Sequence, residues 1–219
     1  MTAHFLNLLD DLRRSSLRMA SQVEDMVQEA CEAVFAADAP LARRVIERDG
    51  EVDAAEVAVE TEVIRLLALY QPVGIDLRTL CTVLKVNNDL ERVADCAVNV
   101  AERARHGELQ ALAQQSAELK QMCPVVRQVL RGALRAYATG DPAGASDLPA
   151  QEQAIDALYR QIVRSVVQHS DSVRGELAAY LDLLSVAKNL ERISDHAINI
   201  AEDVIYAATG RIVRHGRAP

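Results

Sequence analysis

The most constraining feature of this chain is that it repeats itself at a distance of one hundred residues. Residues 90–102 read LERVADCAVNVAE and residues 190–202 read LERISDHAINIAE; eight of the thirteen positions are identical, and three of the others exchange Val for Ile. A match this dense in helical sequence means one structural unit written twice, so whatever the first half folds into, the second half must closely resemble. The repeated residues are Leu90, Glu91, Arg92, Asp95, Ala97, Asn99, Ala101 and Glu102, each recurring at its number plus one hundred.

The unit is helical. Apolar residues recur three and four apart through most of the 219 residues, and no segment alternates as a strand does. Gly (9) and Pro (6) are scarce, and with 3% aromatics and no Trp the core must be aliphatic and Ala-rich. The first amphipathic stretch runs from Phe5 to Val34. Asp38-Ala39-Pro40 then caps a second helix that continues to about Tyr70. Gln71-Pro72-Val73-Gly74 breaks the chain, and a third helix runs from about Asp76 to Arg105, closed by His106-Gly107. A fourth is expected over 108–139 with a kink at Pro124. Gly140 to Gly144 is the strongest breaker, a fifth helix spans about Asp147 to His169, and after Ser170-Asp171-Ser172 a sixth ends near Gly210. The fold class is therefore all-α: two tandem, similar three-helix bundles with six helices, the first over 1–107 and the second over 108–219.

Thirty-two acidic against twenty-four basic residues leave a net charge of −8, and the only basic cluster is the tail at Arg211, Arg214, His215 and Arg217. That balance argues against a nucleic-acid binder and favours cations or basic partner surfaces. Cys31, Cys81, Cys96 and Cys123 form no CxxC pair and read as reduced thiols packed as small hydrophobes. The start of the chain lacks the pattern of a secretory leader, and no run of eighteen apolar residues occurs, so the expectation is a cytoplasmic protein without a transmembrane segment.

The repeated residues segregate by face. With Glu91 at the origin of a helical wheel, Glu102 falls near 20°, Asp95 near 40° and Asn99 near 80°, roughly opposite Leu90, Ala94, Ala97, Val98 and Ala101. One face is core and the other an acidic stripe, repeated by Glu191, Glu202, Asp195 and Asn199. The preceding helix of each half carries a second acidic pair at helical spacing, Asp49 with Asp53 and Glu152 with Asp156. Helices joined by a short turn run antiparallel, so residues equidistant from the turn come level. Asp49 with Asp95, and Asp53 with Glu91, both centre on Pro72. Glu152 with Asp195, and Asp156 with Glu191, both centre between Val173 and Arg174, just past the second turn. Two carboxylate pairs thus meet in each half, and such a cluster needs a cation or several Arg and Lys side chains.

Both readings stay open here. All-oxygen ligands suit Mg, Mn, Ca or iron. His196, where the first copy has Cys96, would add a nitrogen and broaden the second site toward zinc or ferrous iron. Alternatively Arg48, Arg92, Lys188 and Arg192 neutralise the stripes. The first line continues through Glu56 and Glu60 where the second has Tyr159 and Val163, so the first site is expected to take more charge.

The doubled LERxxD helix, the QPVGIDLR stretch from Gln71 to Arg78 and the spaced acids at 49/53 and 152/156 resemble the PhoU family over nearly the whole chain. The resemblance implies tandem three-helix bundles with multinuclear metal clusters, iron foremost, with zinc, manganese or magnesium as alternatives. The ligands would be Asp49, Asp53, Glu91, Asp95, Glu152, Asp156, Glu191 and Asp195. It also implies a non-enzymatic negative regulator of phosphate uptake and of the phosphate-starvation response. Its implied partners are a phosphate ABC transporter and a sensor histidine kinase, which would recruit it to the inner face of the membrane, and association as a homodimer is implied. The second half departs from the pattern, reading Arg174-Gly175-Glu176-Leu177 where a second DLR would stand. Two further readings compete: a di-iron carboxylate or ferritin-like oxidase, disfavoured because no Glu-x-x-His occurs, and a metal-free helical scaffold.

Overall fold

The computed structural model describes residues 3–105, 107–169 and 177–213, without the side chain of His169. Among these residues there are eight helices and no strand: α1 (Ala3–Ala36), α2 (Ala39–Tyr70), α3 (Gly74–Ala104), α4 (Glu108–Gln115), α5 (Ala117–Thr139), α6 (Pro142–Ser146), α7 (Pro149–His169) and α8 (Leu177–Thr209). The first bundle is α1–α3; α5, α7 and α8 are its counterparts in the second.

Two of the eight are absent from the sequence expectation, and both follow from local capping. The expected 108–139 helix is interrupted at Ser116, whose backbone turns extended and whose hydroxyl accepts from the Leu119 amide at 3.1 Å. That is the N-cap of a new helix, and it outweighs Pro124, which sits inside α5. The Gly140–Gly144 breaker contains its own helix start. Gly140 ends α5 in the left-handed region (φ 68°), and Asp141 then caps Pro142 by accepting from the Ala143 amide at 2.9 Å. The short α6 follows, so α7 begins at Pro149. The α2–α3 break is as expected, though α3 starts two residues early. Gln71 (φ 44°) and Gly74 (φ 61°) both take left-handed backbone there. The expected closing residue His106 and the turn at Ser170-Asp171-Ser172 lie outside the described residues, as does Arg174-Gly175-Glu176.

The halves share one continuous core. Leu90, Val93, Ala97 and Val100 of α3 are buried together with Leu190, Ile193, Ala197 and Ile200 of α8, against Met26 and Val27 of α1 and Val126 and Leu130 of α5. A smaller cluster of Phe5, Leu9, Leu12, Val63, Leu66 and Leu80 closes the far end of the first bundle. Helices α3 and α8 form the central seam, while α2 and α7 pack on the outer flanks.

The seam is antiparallel and polar at intervals. Arg78 donates to the Ala207 carbonyl, Thr82 to the Asp203 carbonyl, and Lys85 pairs with the buried Asp203 carboxylate. Further along, Asp89 meets His196 and Asn199, and Arg103 reaches Asp182 at 3.6 Å. Adding one hundred converts Thr82 to 182 and Arg103 to 203, so the two ends of the seam are exchanged by a pseudo-two-fold axis between the repeat copies. The cations stand on α3 and the anions on α8 at both ends.

Candidate metal centre

The antiparallel pairing of α2 with α3 and of α7 with α8 brings the expected carboxylates together in both halves. In the first, Asp49 lies beside Asp53 and Asp95, and Glu91 beside Asp95, Asp53 and Glu56. In the second, Glu152 lies beside Asp195, Asp156, Glu202 and Glu191. Burial comes first, and then neighbouring carboxylates, in raising the proton affinities of Asp49, Glu56, Glu91, Glu152 and Asp195 above their ordinary values. Clustered negative charge, partly withdrawn from water, is therefore a property of both stripes.

The two halves balance that charge differently. Arg92 spans the first stripe from within, its Nε 3.1 Å from Glu91 and its guanidinium nitrogen 3.1 Å from Asp95. Arg192, its repeat counterpart, lies instead near the Cys96 thiol. Lys188 pairs with Glu191 and stands over the Tyr159 ring at 5.4 Å. Arg48 serves neither stripe, contrary to the sequence expectation. It turns to α1, where it meets Glu29 at 3.3 Å, Asp25 at 3.9 Å and the Gln22 carbonyl at 3.4 Å.

Asp156, Glu191 and Asp195 each offer an oxygen within 4.8 Å of the other two. That spacing suits one cation bound at carboxylate distances of about 2.0–2.6 Å, so the donor set fits a hard or borderline divalent ion. Cationic side chains thus stand in both stripes, Arg92 in the first and Lys188 in the second, and the second also holds three carboxylates spaced for one cation.

Beside this trio opens a cleft of about 1030 Å3 lined by Lys85, Asp89, Glu152, Asp195, His196 and Glu202. His196 Nδ1 lies 2.8 Å from the Asp89 carboxylate, which also accepts from Asn199 at 3.2 Å. A carboxylate accepting from Nδ1–H leaves Nε2 with its lone pair, the form in which imidazole binds metals. Sequence reasoning found His196 but missed Asp89, because its signal is a contact between halves rather than a repeat: the matching position is Asn189. Cys96, the counterpart of His196, is buried, and burial pushes its thiol up to about 11, so it supplies no thiolate at neutral pH.

The chain matches the PhoU domain family twice, over residues 16–104 and 119–204, each stretch containing one LERxxD helix. The chain belongs to the PhoU family. It is 34% identical over 203 residues to the phosphate-specific transport system accessory protein PhoU homolog of Zymomonas mobilis, covering 93% of this chain and 86% of that one. It is 34% identical over 211 residues to the homolog of the same name from Pseudomonas aeruginosa, covering 94% and 86%. Among solved structures, PhoU from Pseudomonas aeruginosa superposes with a TM-score of 0.86 at 32% identity, covering 94% of this chain and 100% of that one. The phosphate transport system regulatory protein PhoU from Streptococcus pneumoniae gives 0.87 at 25%, covering 95% and 99%. This PhoU-family chain therefore shares its fold with relatives over nearly its whole length. No described helix is long and apolar enough to cross a membrane.

Proposed function

We propose that this PhoU-family chain is an accessory regulator of phosphate transport rather than an enzyme, and that it lowers phosphate uptake and the phosphate-starvation response. The observation that carries this reading is the two-fold family match, with relatives bearing the name of phosphate-specific transport system accessory proteins along most of their length. Its partners are a phosphate ABC transporter and a sensor histidine kinase, met from the cytoplasm. The acidic surface is suited to basic patches on such partners.

In this reading Glu152, Asp156, Glu191 and Asp195 hold divalent metal, with His196 Nε2 as the adjacent nitrogen donor, and Asp49, Asp53, Glu91 and Asp95 form a second site reached when Arg92 swings away. Bound metal supplies positive charge that joins the two helices of each flank. The chain's own residues set how tightly it is held, and the homodimer presents the stripes in pairs.

The regulatory claim is tested by removing the gene from its host and measuring phosphate uptake and a starvation-responsive reporter in phosphate-replete medium. Uptake and reporter should rise and return on complementation. Unchanged values would sink the reading. The metal claim is tested separately by elemental analysis of wild type and an Asp95→Ala/Asp195→Ala chain; absence of metal from both after reloading makes the acids a docking face alone. Rapid oxygen-dependent turnover by the iron-loaded chain would instead favour a carboxylate oxidase.

A further inference from the structure

Helices α1 and α5 bring the two halves together a second time, away from both acidic stripes. They run antiparallel, and their contacts form a ladder. The Ser16 hydroxyl lies 2.9 Å from the Tyr137 hydroxyl, Arg131 donates to Glu24 at 2.8 Å, and Arg127 donates to Gln28 at 2.6 Å. The next rung is Cys31 with Cys123. The two thiols lie side by side, both buried, one from each half.

We infer that Cys31 and Cys123 are a dithiol site at which a peroxide-class oxidant closes a disulfide between the two halves of the chain. The register of the ladder places the sulfurs on facing helix surfaces, as an interhelical disulfide requires. Access exists as well: both cysteines line a pocket of about 390 Å3 with Phe35, Lys120, Pro124 and Arg127. Lys120, Arg127 and Glu32 stand at its rim. Cys81 and Cys96 offer no rival pair with each other, since fifteen residues of one helix put them about 22 Å apart.

The chemistry balances. One thiol, as its thiolate, attacks a peroxide oxygen, and the O–O bond breaks. Hydroxide leaves and takes up a proton as water, and the sulfur becomes a sulfenic acid. The neighbouring thiol then attacks that sulfur. The S–S bond forms, the S–O bond breaks, and the second water leaves with the remaining thiol proton. Two electrons pass from the two sulfurs to the peroxide. The contact with Cys31 and burial together hold the Cys123 thiol well above the ordinary thiol range. The inference is independent of the metal reading, as none of these residues lies on a stripe.

The test is thiol mapping of the folded wild-type chain. Reduced protein is exposed to hydrogen peroxide, quenched with an alkylating agent and digested. The expected result is a chain lighter by two hydrogens, two of its four cysteines alkylated, and one linked peptide pair containing Cys31 and Cys123. Dithiothreitol should reverse the link, and the oxidised chain should unfold at a higher temperature than the reduced one. The inference is overturned if all four thiols remain alkylatable, if the link involves Cys81 or Cys96, or if Cys31 and Cys123 oxidise separately to sulfinic acids. Cys31→Ser and Cys123→Ser chains should lose the link. The decisive readout is on wild type, so a poorly folding variant leaves the test intact.

Discussion

Asp89 of the first half and His196 of the second share a hydrogen bond of 2.8 Å, and this bond sets the tautomer of the imidazole that faces the second acidic stripe. Removing the carboxylate releases the ring. Asp89→Asn should therefore weaken zinc binding about 10- to 100-fold, the usual effect of losing the group that orients a histidine ligand, while leaving manganese or magnesium nearly unchanged. His196→Asn should do the same. Competition titrations against a chromophoric chelator measure both, and equal losses for zinc and magnesium would remove His196 from the ligand set.

The trio of Asp156, Glu191 and Asp195 repels itself when no cation is present. Asp195→Asn in metal-free buffer should stabilise the fold by roughly 0.5 kcal/mol per like-charge contact removed, and should abolish any stabilisation by added metal. Thermal unfolding with and without chelator reads both effects. A destabilised metal-free variant would mean that Asp195 is held by contacts rather than strained by its neighbours.

The pH dependence has a definite sign. Asp49, Glu56, Glu91, Glu152 and Asp195 bind protons more tightly in the folded chain than at their ordinary values of 3.8 for Asp and 4.5 for Glu. Between the ordinary value and the raised one, the folded chain holds more protons than the unfolded chain, so unfolding releases them. Stability then rises as pH falls through that window, and above it the repulsion is present in full. In chelator, Tm should climb as pH falls from neutral toward the ordinary values of 3.8 and 4.5, and salt should flatten the trend.

Leu90 and Leu190 are fully buried in the core shared by both halves. Leu90→Ala or Leu190→Ala should each cost about 2–5 kcal/mol. Because that core is continuous, each should move a single unfolding transition followed by circular dichroism. Two separated transitions would mean that the halves unfold independently.

Gln71 closes α2 in left-handed backbone, φ 44°, where its amide still reaches the Leu67 carbonyl at 3.1 Å. Glycine adopts that conformation without a Cβ clash. Gln71→Gly should stabilise the chain by roughly 0.5–1 kcal/mol, seen as a higher denaturation midpoint. A loss would mean that the Gln71 side chain makes contacts worth more than the backbone strain.

What the sequence made legible was whatever has a period. The repeat revealed the duplicated bundle, and helical spacing with mirrored distances from two turns put the carboxylates level across α2/α3 and α7/α8. Features without a period were missed. Ser116 looked like one more polar residue until its hydroxyl was seen to cap α5, and Asp141-Pro142 read as a break because the same residues end one helix and begin another. Arg92 and Arg192 are identical in sequence, yet one clamps its own stripe and the other faces Cys96. That difference depends on what stands across the α3–α8 seam, and no pattern along a single helix records it.

The charges along the seam distinguish one half from the other. Lys85 and Arg103 stand on α3, and Asp182 and Asp203 answer them from α8. A half paired with a copy of itself would set cation against cation, or anion against anion, at both ends of the helix pair. The charges of the two halves are therefore lock and key rather than twins, and they favour pairing of unlike halves. Replacing either repeat by a second copy of the other would bring these like charges face to face at both ends of the seam.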